Sequence, residues 1–589
     1  MFLSFVAFGA ALAACEAKPR EAAPQTAIVS IVPEPQSAKF NNQSYEWPRI
    51  ATVHSTAAGT SPAVAALARY VKPHGILIKP SDANLVAAVV FKDAHDPRLG
   101  REGYRLRVAR DGIAIAANSG PGFFYGVQTL AQITHGALRS QIGAVRDWPA
   151  HSWRGIHLDV SRHFFDTHTV ERYIDVAAHY KLNVFHWHLT DDRAWRLQVP
   201  SYPRLTLAGS SYSPAQVREV VRYAAARFVT VVPEIDLPGH SSAAIAAYPE
   251  LGCGRPGILC ANHRAAAFVD TVLRFVMQVL PGPYIHTGGD EVPDANVQAY
   301  FARHVQVFLK KSGRLPVAWD DLLRTDPPGD TVIMSWHGEA PGLRAARDGH
   351  NVVLTPDGPL YFDAYQGDKN QEPPASSHLS SLEQVYAYEP ALEGLPVSQR
   401  THILGLQANL WTEHVPTAGH LFYMLLPREL ALAEITWTLP EKKNWKSFLR
   451  RLPQQLAWLQ ARAYPFRVPA PLFEVRGARP ILFTAIAARV QSVRAYSADP
   501  VVLTTLQVAA PNASIRYTTD GTVPGRASAV YRKPLQLHLS RGHDIDIRAL
   551  AVLPDGKEST ISECILEHPA DQAFSQLHGA RSWESLVSP

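Results

Sequence analysis

From Trp153 to Trp411 the chain repeats one pattern: a short apolar run, a loop, then an amphipathic segment. The candidate strands are Arg154–Val160, Asn183–Thr190, Thr230–Asp236, Tyr284–Asp290, Pro316–Asp320, Thr331–Trp336, Asn351–Thr355 and Ile403–Trp411. Helical spacing is clearest over Thr169–Tyr180, Pro214–Arg227, Ala265–Leu280, Asn296–Lys311 and Gly342–Asp348. Strands that alternate with helices can pair only in parallel, because each helix carries the chain back across the sheet. Eight such units close on themselves, so the sequence predicts an α/β protein built on a central (β/α)8 TIM barrel, residues 151–466. Residues 356–402, between the seventh and eighth strands, are long and poorly periodic, a length that points to a functional loop.

A chain of 589 residues is too long for one core. Residues 28–150 mix alternating stretches (Tyr104–Val108, Gly112–Ile115) with helical spacing over Ser61–Tyr70 and Gly122–His135, and read as a smaller α/β domain. After the barrel, His420–Thr438 and Asn444–Ala463 read as closing helices, and residues 467–481 as a Pro-rich linker. Residues 482–567 show short strands with turn signals and suit a small β-sandwich; residues 568–589 read as a tail. At the other end, the apolar residues 1–14 read as a signal peptide and 15–27 as an Ala/Pro-rich tether. Leu12-Ala13-Ala14-Cys15 resembles a bacterial lipoprotein box, with Cys15 the lipidated residue, although no Lys or Arg precedes the apolar run. The expectation is an exported protein, periplasmic or anchored in the outer membrane through Cys15, or else plainly secreted. Cys253 and Cys260 flank a Gly/Pro-rich loop and are either a disulfide or a pair of free thiols. The net charge of +5 is small for this length and no long basic run occurs, so nucleic acid is not expected as a partner. The cysteines show no metal-ligand spacing.

The polar residues that stand out gather where strands stop: Asp159 with Arg162, His188 with Asp191, Glu234 with Asp236 and His240, Asp290 with Glu291, Trp319 with Asp320, Trp336, and Trp411 with Glu413. That end of such a barrel is where active sites are built. In Tyr284-Ile285-His286-Thr287-Gly288-Gly289-Asp290-Glu291 a strand runs into two glycines and two adjacent carboxylates. Adjacent acids resist ionising together, which predicts a raised pKa for one of them and offers a general acid near neutral pH. A solvated turn or a helix N-terminal pair is the plainer alternative.

Thr287-Gly288-Gly289-Asp290-Glu291 resembles the signature of family 20 glycoside hydrolases, the β-N-acetylhexosaminidases and chitobiases. Other blocks agree in order: Arg154–Phe165, Phe185–Asp192, Pro233–His240, Tyr361-Phe362-Asp363 and Gln407–Glu413. Ile31–Gln132 resembles that family's non-catalytic N-terminal domain, and Ile515–Asp520 with Gly556 and Ser559 its small C-terminal domain. The stretch between Glu291 and Trp319 is shorter than in many members. The resemblance implies exo-acting removal of terminal GlcNAc or GalNAc with retention, through an oxazolinium ion formed by the substrate's own acetamido group. It implies Glu291 as general acid and base, and Asp290 as the partner of the acetamido N–H. Tyr361 would hold the acetamido oxygen, and Trp319, Trp336 and Trp411 would wall the pocket. Arg162, Asp363 and Glu413 would bind sugar hydroxyls, with Asp191 and His240 behind Glu291. No metal or organic cofactor is called for, and the expected partners are β-linked N-acetylhexosaminide oligosaccharides or glycoconjugates. The alternative is a catalytically weak carbohydrate-binding surface lipoprotein of the same fold.

Overall fold

The computed structural model describes residues 30–568, apart from 82–86, 136–137, 208, 477–478, 482–491 and 498. The expected signal peptide, tether and Cys15, and all of the tail beyond His568, lie outside the described residues.

The first domain is a mixed sheet with two helices, Ser61–Val71 and Gly120–Gln132. Its strands are β1 (Ser37–Glu46), β2 (Ile50–Ser55), β3 (Leu77–Pro80), β4 (Val89–Asp93), β5 (Tyr104–Ala109), β6 (Gly112–Ala117), β7 (Thr134–His135) and β8 (Arg139–Asp147). They lie in the order β1-β8-β5-β6-β4-β2-β3, with β7 beside β8. Period-2 alternation sends Leu106, Val108, Ile113, Ile115 and Phe91 to the core.

The barrel follows. Its strands are β9 (Trp153–Asp159), β10 (Val184–His188), β11 (Thr230–Glu234), β12 (Tyr284–His286), β13 (Leu315–Trp319), β14 (Val332–Ser335) and β15 (Val352–Leu354). Two short strands, β16 (Ala364–Tyr365) and β17 (Ser376–Leu379), pair within the long loop, and β18 (Ile403–Ala408) completes the set. β18 pairs in parallel with both β15 and β9, so the eight strands close. All seven residues of β9 are buried, as a strand covered on both faces requires. The first domain is fixed to the bottom of the barrel by buried charge. The Arg154 guanidinium donates to Glu102 at 2.9 and 3.0 Å, and Lys181 Nζ to Asp147 Oδ2 at 2.9 Å.

Two expectations change. The single helix read over His420–Thr438 is two, Ala418–Leu425 and Arg428–Trp437. Pro427 separates them, since proline has no N–H to donate and its ring clashes with the preceding turn. The linker is also shorter than 467–481. Leu472–Arg476 (β19) pairs with Val501–Gln507, and Arg479–Ile481 (β20) with Ser492–Tyr496. The alternation Leu472-Phe473-Glu474-Val475-Arg476 carries the strand signal despite the neighbouring prolines. The C-terminal domain therefore has a three-stranded and a six-stranded sheet. Cys253 and Cys260 are joined by a disulfide.

Candidate active site

The site is built at the C-terminal ends of the barrel strands, over a buried polar network. Glu234, at the end of β11, is fully buried. Its carboxylate accepts from Trp319 Nε1 at 2.9 Å. Imidazole nitrogens of His186, His188 and His286 lie 3.1, 2.5 and 3.0 Å from it. Burial opposes its ionisation, but the three histidines outweigh burial and hold its pKa well below the carboxylate range. A chain of charge-assisted contacts runs outward from it. His188 Nε2 meets Asp191 Oδ2 at 3.0 Å, and Arg162 Nη2 meets the same oxygen at 2.9 Å. Sets such as His186, Glu234 and His286 have donor atoms close enough together for a metal. Here one Glu234 oxygen is hydrogen-bonded to Trp319 and the other to His188, so the set reads as a hydrogen-bonded base for the pocket.

Above this base stand the aromatic walls. Trp319, fully buried, and Trp411, half-buried, have ring centroids 6.0 Å apart, and Tyr361 lies 6.5 Å from Trp411. Arg162 stacks over Trp411 at 5.0 Å and also faces Asp159 and Glu413 at 3.5 and 3.6 Å. Tyr361 is seated by paired loops: Phe362 N–H donates to Asn409 O, and Asn409 N–H to Leu360 O. Asp363, next along, accepts from Ser376 Oγ through one oxygen. Its other oxygen is buried with no hydrogen-bond partner among the described residues. Burial raises the Asp363 carboxyl to about 6, against the Ser376 hydrogen bond.

The two adjacent acids follow a sharp turn. Gly288, Gly289 and Glu291 have φ of +63°, +91° and +51°. A Cβ at Gly288 would stand 1.7 Å from Asp236 Oδ1, so glycine is obligatory there. Glu291 takes up the left-handed conformation at a cost of about 1–3 kcal/mol. The turn sends the neighbours in different directions: Asp290 is buried, while the Glu291 side chain is exposed at the mouth. His240 Nε2 lies 3.7 Å from Asp290 Oδ2 and 3.4 Å from Glu291 Oε2. Its Nδ1 faces Asp191 at 3.6 Å and Asp192 at 3.4 Å. Burial disfavours the imidazolium, but Asp236, Asp191 and Asp192 outweigh it and hold His240 charged. The raised pKa predicted for the pair falls on Asp290, pushed up to about 7 by burial and by the charge of Glu234, against the pull of His240. It is the better-buried acid that carries the shift, because desolvation is its largest cause.

Comparison with known proteins agrees with this geometry. Residues 151–440 match the family model described as "Glycosyl hydrolase family 20, catalytic domain", in two overlapping segments, 151–299 and 294–440. Residues 29–148 match domain 2 of that family, and 504–564 the model "Fn3 associated". The β-N-acetylhexosaminidase of Cellulomonas fimi is 34% identical over 64% of this chain and 82% of its own. The chain belongs to glycosyl hydrolase family 20. A β-hexosaminidase of Porphyromonas gingivalis is 38% identical over 63% of this chain, and the chain spans 55% of that protein's length. Among solved structures, the family 20 exo-β-N-acetylglucosaminidase of Vibrio harveyi in complex with N-acetylglucosamine superposes with a TM-score of 0.71 at 30% identity, over 75% of this chain and 79% of that one.

The family 20 site thus brings together the residues singled out from the sequence. Glu291, Asp290, His240, Asp191, Arg162, Glu413 and Trp411 form one run of contacts, with Trp319 and Tyr361 against Trp411 and Asp363 two residues from Tyr361. Trp336 joins through a residue that the sequence reading left out. Asp321 accepts from Trp336 Nε1 at 2.8 Å and from the Glu291 backbone N–H at 3.3 Å. Glu234 and Asp236 were visible as acids at a strand end, but nothing in one dimension showed that they touch Trp319 and Gly288.

Proposed function

We propose that this chain is an exo-acting, retaining β-N-acetylhexosaminidase that works by substrate assistance. Retention by two enzymic carboxylates needs them about 5 Å apart on opposite sides of the anomeric carbon. The observation that carries the reading is that Asp290 and Glu291 both face one nitrogen of His240. The space between them holds an imidazole edge, not a sugar. The missing nucleophile is then the substrate's 2-acetamido oxygen, which attacks the anomeric carbon as the leaving oxygen takes a proton from Glu291. The buried Oδ1 of Asp290, with no hydrogen-bond partner among the described residues, would accept the acetamido N–H and face the positive charge that forms there. Tyr361 would hold the acetamido oxygen, and Trp319, Trp336 and Trp411 would pack its methyl group and the sugar face. Water activated by Glu291 then opens the oxazolinium ion.

Arg162 and Glu413 at the mouth, with the unpartnered oxygen of Asp363, would bind hydroxyls that an internal residue would have linked onward, which makes the pocket one for a terminal sugar. The Vibrio harveyi relative is named an exo-β-N-acetylglucosaminidase, in keeping with this. The natural substrates would be β-linked N-acetylhexosaminides, met outside the cytoplasm if residues 1–15 direct export and lipidation at Cys15. Mass spectrometry of the mature N-terminus tests the last point: an unmodified end downstream of Cys15 removes the anchor.

The decisive test of mechanism is a thiazoline mimic of the cyclised intermediate. It should inhibit the parent tightly and Asp290→Asn poorly. Trapping of a covalent adduct on Asp290 or Glu291 by a 2-fluoro-glycoside without the acetamido group would make an enzymic carboxylate the nucleophile and end the proposal.

A further inference from the structure

The first domain carries a feature that the barrel chemistry does not use. Its two helices cover one face of the sheet, where Leu106, Ile113, Ile115 and Phe91 are buried. On the opposite face a trough of about 540 Å³ lies across β1, β8, β5, β6 and β4. Five cations line it: Lys39, Lys92, Arg105, Arg107 and Arg146. Among the described residues its lining holds no carboxylate and no aromatic ring, although Asp96 and Trp148 adjoin it at Arg146.

Strand register fixes how the cations stand. One cross-strand row runs Arg146, Arg105, Ala116, Lys92, and the next runs Lys39, Ala144, Arg107, Ala114. Neighbouring strands are about 4.8 Å apart, so charges stand one and two strands apart in the first row and two strands apart in the second. Alanines between them form the floor, and the longer side chains rise on either side. Two of the cations are partly balanced: Arg146 pairs with Asp96 at 2.9 Å and also lies over Trp148, and Arg107 pairs with the exposed Asp111 at 3.3 Å. Arg105 donates to a backbone carbonyl, Ala94 O. Lys39 and Lys92 are exposed and make no ion pair among the described residues. The chain has 57 basic and 52 acidic residues, so these five equal its whole formal excess of positive charge.

We propose that this trough is a docking site for a linear anionic polysaccharide, one bearing carboxylate or sulfate groups at intervals. The spread of charge over five strands is wider than one phosphate or sulfate could bridge, which favours a polymer over a small anion. The lining offers no open stacking platform, because the neighbouring Trp148 lies under Arg146, which argues against single-stranded nucleic acid. The same lack argues against neutral sugars stacked face-on. The recessed, alanine-floored shape suits a strand that lies in it better than a flat lipid surface. A site of this kind would hold a charged glycan on the first domain, apart from the barrel mouth, and it stands whether or not the substrate-assisted mechanism is right.

The test uses the full chain and fluorescently labelled chondroitin sulfate, followed by anisotropy at low and at high salt. Three proteins are compared: the parent, the trough variant Lys39→Glu/Lys92→Glu/Arg107→Glu, and a control with equal charge change, Arg218→Glu/Arg264→Glu/Lys311→Glu, at exposed barrel positions. The parent should bind, and weaken as salt rises. The trough variant should bind about tenfold more weakly or worse, the control like the parent. A milder triple change of the same trough residues to Gln should fall between. Hydrolysis of a small aryl N-acetylglucosaminide should be the same in all, which reports that each is folded. The proposal is overturned if the parent does not bind, or if control and trough variants lose binding equally. It is also overturned if the trough residues matter only for vesicles containing phosphatidylglycerol and not for the polysaccharide.

Discussion

Gly288→Ala isolates the turn that sets the two acids. The added Cβ would fall 1.7 Å from Asp236 Oδ1, 2.5 Å from its Cγ and 3.1 Å from its Cα. Asp236 cannot simply swing away. Its side chain is buried, and the main-chain N–H bond to Thr190 Oγ1 at 3.0 Å, two residues past β11, fixes the Cα that the new Cβ meets whichever way the carboxylate turns. The turn must therefore shift by about an ångström, at an overpacking cost of about 1–3 kcal/mol. Alanine at φ +63° adds about 1–2 kcal/mol of backbone strain. A shift of that size two and three residues before Asp290 and Glu291, with the roles proposed for them, should lower kcat/KM about 10²-fold. Gly289→Ala is the control: its φ is +91°, but its nearest foreign atom is Leu322 Cδ1 at 3.3 Å, so it meets backbone strain with little clash. Urea midpoints and kcat/KM on an aryl N-acetylglucosaminide are measured for both. Adding Asp236→Ala to Gly288→Ala removes the clashing atoms and should restore much of the midpoint, without restoring activity. Parent-like stability and kcat/KM in Gly288→Ala, or no recovery in the double variant, would refute the contact as the reason for the glycine.

Glu291→Gln should lose about 10²–10⁴-fold in kcat on substrates with poor leaving groups, and less on activated aryl glycosides, because only the former need the proton; equal losses on both would deny Glu291 that role. Asp290 must be ionised to face a cation, and its carboxyl is raised to about 7, so kcat/KM should climb as pH rises through that value; a flat profile between pH 5.5 and 8 argues against it. The same shift has a stability sign. A folded-state pKa above the unfolded one contributes stability at low pH that is lost as pH rises from about 4 to 7, so Asp290→Asn should gain stability relative to the parent at pH 8, read from urea midpoints. Arg162→Ala leaves Asp159 and Asp191 without their guanidinium and removes the stack on Trp411, so KM should rise at least tenfold, with Arg162→Lys recovering only part because lysine lacks the planar fork.

Much of this molecule was legible in one dimension. Eight apolar runs separated by amphipathic segments leave a chain few options other than a closed parallel barrel, and all eight form it. Polar residues at strand ends marked the catalytic mouth, because side chains there leave the core and enter the cavity. Periodicity, however, reports only neighbours along the chain. It could not show that Pro427 ends one helix where a continuous one reads plausibly, or that β19 pairs with a strand some thirty residues on. Nor could it say which of two adjacent acids would be raised, since that depends on which one the turn buries. Asp321 links Trp336 to Glu291, Glu234 gathers three histidines under Trp319, and Asp236 dictates a glycine, all across strands far apart in sequence. Residue type and spacing determined the elements and the chemistry on offer. Only closure of the barrel decided the desolvation, charge pairing and contact distances that set how each group behaves.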